Sequence, residues 1–497
     1  MAGLTGLYGC IVGITLIYIC SRLVYYVCML KSSKNLAHLI RIARILAKND
    51  ALFPVEMLNI PSLNLFVRIV RRRRKHLTPG QRLAKAFQEL GPSFIKLGQA
   101  LSTRSDLVGE DIAADLTMLR DQLPPFPVAK VKEIILAELH DSVNNLFLEF
   151  DDVPAAAASI AQVHFARTRD NEEVAVKILR PNIEVEIAKD IALFYWIARM
   201  IEKRNPIYAK RMRPVEVVQT LENTVKIELD LRMEAAAASE LRENFRNWPG
   251  FYVPKIYWKF VSKRVLVIEK VSGVKIDRRE EIAKLGLNPD EILATSSKAL
   301  FKQVFDDGFF HADLHPGNVF VNARGEIVPI DFGIMGRIDR QSRIYIADIL
   351  AGFLMRDYHK VAKAHFDAGY VPDDKSLDNF AMACRAVGEP IMDLPINEIS
   401  VARLLAQMFS VAEEFEMITQ PHLLLLQKTM MMAEGVGRAL NPNVNMWKLA
   451  EPLVREWAAK NMGVKAQIKN RLGEAREFLQ QLPRLIDLLE LYLREKV

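Results

Sequence analysis

His311, Asp313, His315 and Asn318 stand together in the stretch HADLHPGNVF, and Asp331-Phe332-Gly333 follows 13 residues after Asn318. A carboxylate and a carboxamide five residues apart, then a second carboxylate closing the apolar run IVPI, make a set of oxygen donors suited to phosphoryl chemistry. Asp313 takes the place of a base beside a reacting hydroxyl. Asn318 and Asp331 are the candidates to hold a magnesium ion that bridges phosphates. A polar turn between strands accounts for either half alone. Both halves, in order and at this distance, argue for ATP and Mg2+.

A protein-kinase catalytic loop spaces its base and its metal-binding Asn in this way, and its Asp-Phe-Gly follows at a similar remove. Lys177 ends the run VAVK, 18 residues after Ser159. In kinases a strand lysine at this place pairs with the α and β phosphates and with a helix glutamate. Where kinases carry a glycine-rich loop, this chain has Ala155, Ala156, Ala157, Ala158, Ser159, Ile160 and Ala161. Glycine lets backbone amides approach phosphate in conformations that cost alanine more. Ala156, Ala157, Ala158 and Ser159 are therefore expected to grip nucleotide differently, although an alanine run also suits a helix start. In KIELDLRME, residues 226–234, Asp230 and Glu234 are four apart and share a face of one expected helix. Glu228 and Asp230 are two apart and face different ways. One of these acids is expected to pair with Lys177. Further upstream, SFIKLGQA leads into LSTRSDL. Gly98 in a helix costs up to about 1 kcal/mol against alanine, which makes close packing the expected reason for it.

These residues need elements to hold them. Val163 and Phe165, then Val174, Val176 and Ile178, alternate as two antiparallel strands joined by an Asp-Asn turn near residue 170. Helices are expected over 81–90, from near Ser93, over 183–204 and over 214–247, with strands at Val253–Tyr257 and Val265–Glu269. After Pro289 helices dominate, except at Val319–Asn322 and Ile327–Ile330. Leu39, Ile40, Ala43, Leu46 and Ala47 form an amphipathic stripe. Pro124, Pro125 and Pro127 close the N-terminal helical region with a rigid turn. Leu423–Leu426 and Met430–Met432 have the spacing of a helix core, with a lipid-facing groove as the alternative. His164, His315 and His422 lack metal-ligand companions and are expected to be structural, His315 orienting the catalytic loop. The fold class is α+β: a bilobal, protein-kinase-like arrangement of a small sheet followed by a mostly helical lobe. The expected domains are a membrane segment at 1–34, a basic arm and helical extension at 35–146, an N-lobe at 147–272 and a C-lobe at 273–497.

Half of the 497 residues are hydrophobic, so a large core is within reach. Four cysteines without metal-ligand spacing argue against a disulfide framework and fit a reducing compartment. The net charge of +7 is concentrated at one end: residues 1–85 hold 14 Lys/Arg against two Asp/Glu, and the remainder 53 against 58. The run from Arg71 to Lys75 is the densest part. No aromatics interleave with it for base stacking, so nucleic acid is not the expected partner. Anionic lipid headgroups are, because the same arm holds the apolar stretch Leu7 to Leu30. At about 1.5 Å per residue a helix of that length is long enough to cross a bilayer core, with an interfacial or packed helix as the alternative. Arg22 interrupts it near one end and is able to snorkel. The lysines and arginines that follow put that side in the cytoplasm. No basic residues precede the stretch as they would in a cleaved signal peptide.

KLGQ with LSTRSDL, AAAASIAQVH, VAVK, ELDLRMEA, HADLHPGN and DFG occur here in the order found in the UbiB family of atypical kinases, which the chain resembles over about residues 80–460. The resemblance implies a kinase-like fold whose N-terminal helices fold over the nucleotide cleft. It implies regulatory roles for Lys96 and Gln99, which reach into the site, and for Glu228 and Asp230, which hold that segment. Lys177 would pair with Glu234, Asn318 and Asp331 would bind magnesium, and Asp313 would be the base. The family supports ubiquinone biosynthesis at the bacterial inner membrane and is better described as ATPases than as protein kinases, so quinone precursors or fellow biosynthetic proteins are the implied partners. Two departures stand out. Bacterial members usually carry C-terminal transmembrane helices, whereas LIDLLELYL here is too short and too charged to span. Ala312 stands where protein kinases have an arginine that contacts a phosphorylated activation loop, so activation by loop phosphorylation is not expected. The rival readings are a small-molecule kinase, since aminoglycoside phosphotransferases share the HxDxHPGN pattern, and a nucleotide-binding scaffold without turnover.

Overall fold

The computed structural model describes residues 33–52, 77–102, 108–116, 119, 123–204, 213–394, 398, 401–417 and 420–461. The apolar stretch 7–30, the basic run 71–75, residues 103–107 of LSTRSDL and the C-terminal LIDLLELYL lie outside them. Among the described residues no helix is long and apolar enough to cross a membrane. The chain divides into two compact units, one running to Met233 and including Tyr257–Ile268, the other comprising Glu234–Ile256 and the chain from Glu269 onward. The helical extension and the small sheet therefore fall in one unit.

The first unit contains α1 (Ser33–Lys48), α2 (Pro79–Leu90), α3 (Pro92–Ser102), α4 (Glu110–Leu116), α5 (Val128–Leu139), α6 (Val143–Leu146), β1 (Phe147–Phe150), β2 (Ala156–Ala157), β3 (Ala161–Thr168), β4 (Glu173–Leu179), α7 (Ile183–Arg204) and α8 (Pro214–Glu228). The boundary between units falls within α9 (Leu231–Asn244), and β5 (Val265–Glu269) returns to the first sheet. Thr78 starts α2: its hydroxyl accepts the Gln81 N–H, and the Gln81 side chain accepts the Thr78 N–H. Gly91, at φ 109°, makes the sharp exit into α3 that a side chain would disfavour. The strand order is β1-β3-β4-β5, with β2 on β3. Val174, Val176 and Ile178 share one apolar cluster with Val131 and Ile135 of α5, so the period-two pattern of β4 buries one face under that helix.

Several expectations change. The helix expected over 214–247 is two helices. Leu229 ends α8, and the Asp230 carboxylate accepts the Arg232 N–H at 3.2 Å, capping α9. Asp230 is therefore not on a helix face shared with Glu234. Val253–Tyr257 is no strand, and Arg242 Nη1 donates to the Val253 carbonyl that a ladder would use. The alanine run forms a strand and turn rather than a helix start. Pro127 does not only close a region, since α5 begins at the next residue. On α1, Ile42 is buried while Ile40 is 41% exposed.

The second unit continues with β6 (Val274–Lys275), α10 (Arg279–Lys284), α11 (Pro289–Phe301), a π-helical turn (Lys302–Asp307), β7 (Phe309–His311), β8 (Val319–Val321), β9 (Ile327–Pro329) and β10 (Met335–Arg337). Then come α12 (Arg340–Leu354), α13 (Tyr358–Asp367), α14 (Leu377–Gly388), α15 (Val401–Glu414), α16 (Pro421–Leu440) and α17 (Met446–Asn461). β6, β8 and β9 form one sheet, and β7 pairs with β10. Gly336 on β10 is opposite Phe310, whose ring leaves no room for a Cβ (2.2 Å). Phe310, Ala312, Ile346, Leu426 and Trp457 form the apolar cluster beneath these elements. Leu426 joins that core as expected, but Met430 and Met431 do not: they are 49% and 42% exposed, because α16 buries the side that carries Leu426 and Thr429.

Candidate functional site

In the first unit Lys177 lies on the face of β4 opposite the α5 core. It pairs with Val163 of β3, which pairs in turn with Ala156 of β2. Directly paired residues of antiparallel strands point the same way, so Lys177 and Ala156 share a face, two strand spacings or about 10 Å apart. The alanine segment is a tight hairpin: Ala155 N–H donates to Val163 O and Ala158 N–H to Ala161 O, both at 2.8 Å. These two amides are spent inside the hairpin, unlike the amides of a glycine loop that turn toward phosphate. Arg180 holds the turn from below, donating to Ala158 O (2.8 Å) and Pro124 O (3.0 Å). Ser159 is buried, and its Oγ has no hydrogen-bond partner among the described residues.

The same unit brings Lys96 of α3 to Glu228 of α8 at 2.8 Å, with side chains 11% and 4% exposed. Gly98, two residues on, is where α3 meets Phe87 and Leu119: a Cβ would sit 2.8 Å and 2.2 Å from their side chains. The close packing expected of Gly98 is thus present. Gln99 is half-buried on α3. Asp230 is not brought to this segment: its carboxylate pairs with Arg232 at 2.6 Å, and the Arg232 guanidinium holds the acid below its usual range. His164 is structural. Its Nδ1–H donates to Asp151 O at 2.7 Å, its Nε2 accepts from Gln162, and burial lowers its pKa.

In the second unit the β8–β9 hairpin brings together the backbone segments that carry the oxygen donors. Val319 pairs with Pro329, and the next bond outward is Ile330 N–H to Asn318 O at 3.0 Å, so Ile330 lies across from Asn318 and Asp331 is the next residue along. Two turns fix the loop before it, with His315 N–H donating to Asp313 O (2.7 Å) and Asn318 N–H to His315 O (2.8 Å). His315 Nδ1 accepts the Gly317 N–H at 3.0 Å, so this ring shapes the loop. His311 is fully buried. Its Nδ1 accepts the Asp313 N–H, and its other nitrogen bonds the Asp331 carbonyl. An amide only donates and a carbonyl only accepts, so the ring is neutral with its proton on Nε2. Burial lowers its pKa in the same sense. Gln303 of the π-helical turn accepts the His311 N–H at 2.9 Å. Glu234, also buried, accepts the Phe332 N–H at 3.4 Å, and Asp331 Oδ1 accepts the Gly333 N–H at 3.0 Å.

Asn318 and Asp331 offer one amide and one carboxylate oxygen at neighbouring strand ends. Two hard protein oxygens, completed by water and phosphate, are what Mg2+ takes, so the donor set fits it. Three residues escaped the sequence reading: Gln303, Arg180 and Lys428. Lys428 of α16 reaches Asp313 Oδ1 at 2.7 Å. Its signal was a lone lysine inside the apolar run LLLLQKTMMM.

A hairpin lysine, a loop with Asp and Asn five apart, and an Asp-Phe-Gly tied to it by a buried histidine define a protein-kinase-like domain. Residues 118–365 match the ABC1 atypical kinase-like domain, and residues 384–445 the UbiB helical domain. A probable protein kinase UbiB of Azotobacter vinelandii is 43% identical over 83% of this chain and 77% of its own length. Proteins of the same description from Marinobacter nauticus (42%; 83% and 76%) and Aliivibrio fischeri (41%; 84% and 77%) are similarly close. Among solved structures, the Rv3197–erythromycin complex from Mycobacterium tuberculosis matches 81% of this chain and 97% of its own, with a TM-score of 0.52 and 24% identity, and shares the fold. The chain belongs to the UbiB family.

Proposed function

We propose that this protein is a membrane-associated, Mg2+-dependent atypical kinase or ATPase that supports ubiquinone biosynthesis by coupling ATP turnover to the handling of lipid precursors or their enzymes. The observation that carries it is the backbone bond from Ile330 N–H to Asn318 O, which brings the residue before Asp331 across from Asn318, with Asp313 in the loop just before. In this reading Asn318 and Asp331 would hold the metal, which would supply charge neutralisation to the phosphates. Asp313 accepts a hydrogen bond from the attacking hydroxyl or water. Lys177 neutralises the α and β phosphates, and the hairpin at Ala156–Ser159 covers them with few donated amides. Lys96, Gln99 and Glu228 control access, the buried Lys96–Glu228 pair holding α3 in place. The 7–30 stretch and the basic arm attach the protein to anionic membranes.

The test is ATP turnover by the purified full chain with Mg2+, with and without liposomes containing anionic lipid. Turnover that rises on the liposomes, together with rescue of a quinone-deficient strain, supports the reading. Absence of turnover under either condition, with the strain still rescued, would replace it with a scaffold role. Alkaline extraction tests attachment, and equal release of the full chain and a form lacking residues 1–30 would remove the anchor.

A further inference from the structure

The loop from His311 to Asn318 contains no lysine or arginine. A cation nevertheless stands at its aspartate, brought from 115 residues downstream: Lys428 Nζ lies 2.7 Å from Asp313 Oδ1. Neither side chain is a surface group, the two being 23% and 30% exposed. The contact is anchored by buried neighbours on both sides. Leu426, two residues before Lys428, is buried in the same apolar cluster as Phe310 and Ala312, the residues that lead into Asp313. Thr429, next in the chain, is fully buried and ties its hydroxyl to Leu425 O at 2.9 Å. Ala312 is itself 0% exposed, so the position next to the base has no room for a long cation, and α16 supplies one from the side.

We propose that Lys428 is a positioning residue for phosphoryl transfer, a role that rests on the function proposed above. Its ammonium donates to Oδ1 and fixes the carboxylate plane, which turns Oδ2 toward the nucleophile. In hydrolysis a water oxygen forms the new bond to the γ phosphorus while the bond to ADP breaks and its electron pair leaves on ADP. The water's proton passes to Oδ2 and from there to solvent or phosphate. An aspartate free to rotate presents Oδ2 only part of the time, so loss of Lys428 slows the chemical step without weakening nucleotide binding.

The experiment compares Mg2+-ATP turnover by the full-length wild type, Lys428→Met, Lys428→Arg, Asp313→Asn and the Asp313→Asn/Lys428→Met double variant. Lys428→Met is expected to lower kcat by about tenfold or more while KM for ATP stays within about twofold, since an oriented base contributes only to the transition state. Lys428→Arg should regain part of the rate, and the double variant should be no slower than Asp313→Asn alone. An unchanged or raised kcat in Lys428→Met, or losses that multiply in the double variant, would overturn the role. If Lys428→Met loses its thermal unfolding transition, Lys428→Gln is judged by the same criteria. A wild type without turnover overturns the proposed function and this role with it; an active wild type with an indifferent Lys428→Met overturns this role alone.

Discussion

In the first unit two buried or half-buried cations are satisfied by a carboxylate or by main-chain carbonyls. Lys96 meets Glu228 almost out of water, and Arg180 bonds the carbonyls of Ala158 and Pro124. In the second unit Asn318, His315 and Asp331 are fixed through backbone bonds, which hold a residue in place without consuming its whole side chain. The first pattern makes a stiff frame. In the proposed function the second leaves oxygens that a metal and phosphates would complete. The difference sets Lys96 and Glu228, whose loss should cost stability, against Asn318 and Asp331, whose loss should cost chemistry in the proposed function.

That separation is open to attack from both sides. The largest stability effect should come from Lys96→Met, which takes the lysine from a buried Glu228 carboxylate and costs about 3–5 kcal/mol. Chemical denaturation reads it, and Lys96→Met combined with Glu228→Gln should recover much of the loss. A cost below about 1 kcal/mol, as for a surface pair, would break the frame reading. Next comes Gly98→Ala, whose methyl collides with Leu119 and Phe87 and should lower stability by about 1–3 kcal/mol. A neutral result would mean that α3 moves aside easily.

The smallest effect is one of pH. His164, His311 and His365 all have pKa values lowered by burial, so the unfolded chain takes up their protons more readily than the folded one. Their contribution is fully present above about pH 6.5 and is lost as pH falls through the window below it. The slope is about 1.4 kcal/mol per pH unit for each histidine that titrates. Denaturation midpoints at pH 7.5 and 5.5 measure it. His311→Asn should flatten the slope; an unchanged slope would show that His311 is not among the groups responsible.

What was legible in the sequence follows contact distance. The alternation of β3 and β4, the Asp-Asn interval and the Asp-Phe-Gly run are local patterns, and local backbone geometry realises them. The break at Leu229–Asp230 was hidden because Asp230 reads equally well as a helix residue and as a cap, and only its bond to the Arg232 N–H decides. Lys428 was hidden because its meaning lies 115 residues away, in a contact made by the packing of α16. Gln303 was hidden likewise, since a buried glutamine on a π-helical turn has no spacing that announces it. Met430 and Met431 misled because a run of large apolar residues does not state which side of its helix is covered.

The most direct test of the account is Mg2+-dependent ATP turnover by Asp331→Asn, measured beside the wild type across a magnesium titration and with a thermal melt of each. Loss of turnover by about 10²-fold or more, with an unchanged melt, is the outcome this arrangement of oxygens requires. Wild-type turnover in Asp331→Asn at the same magnesium concentration would contradict it.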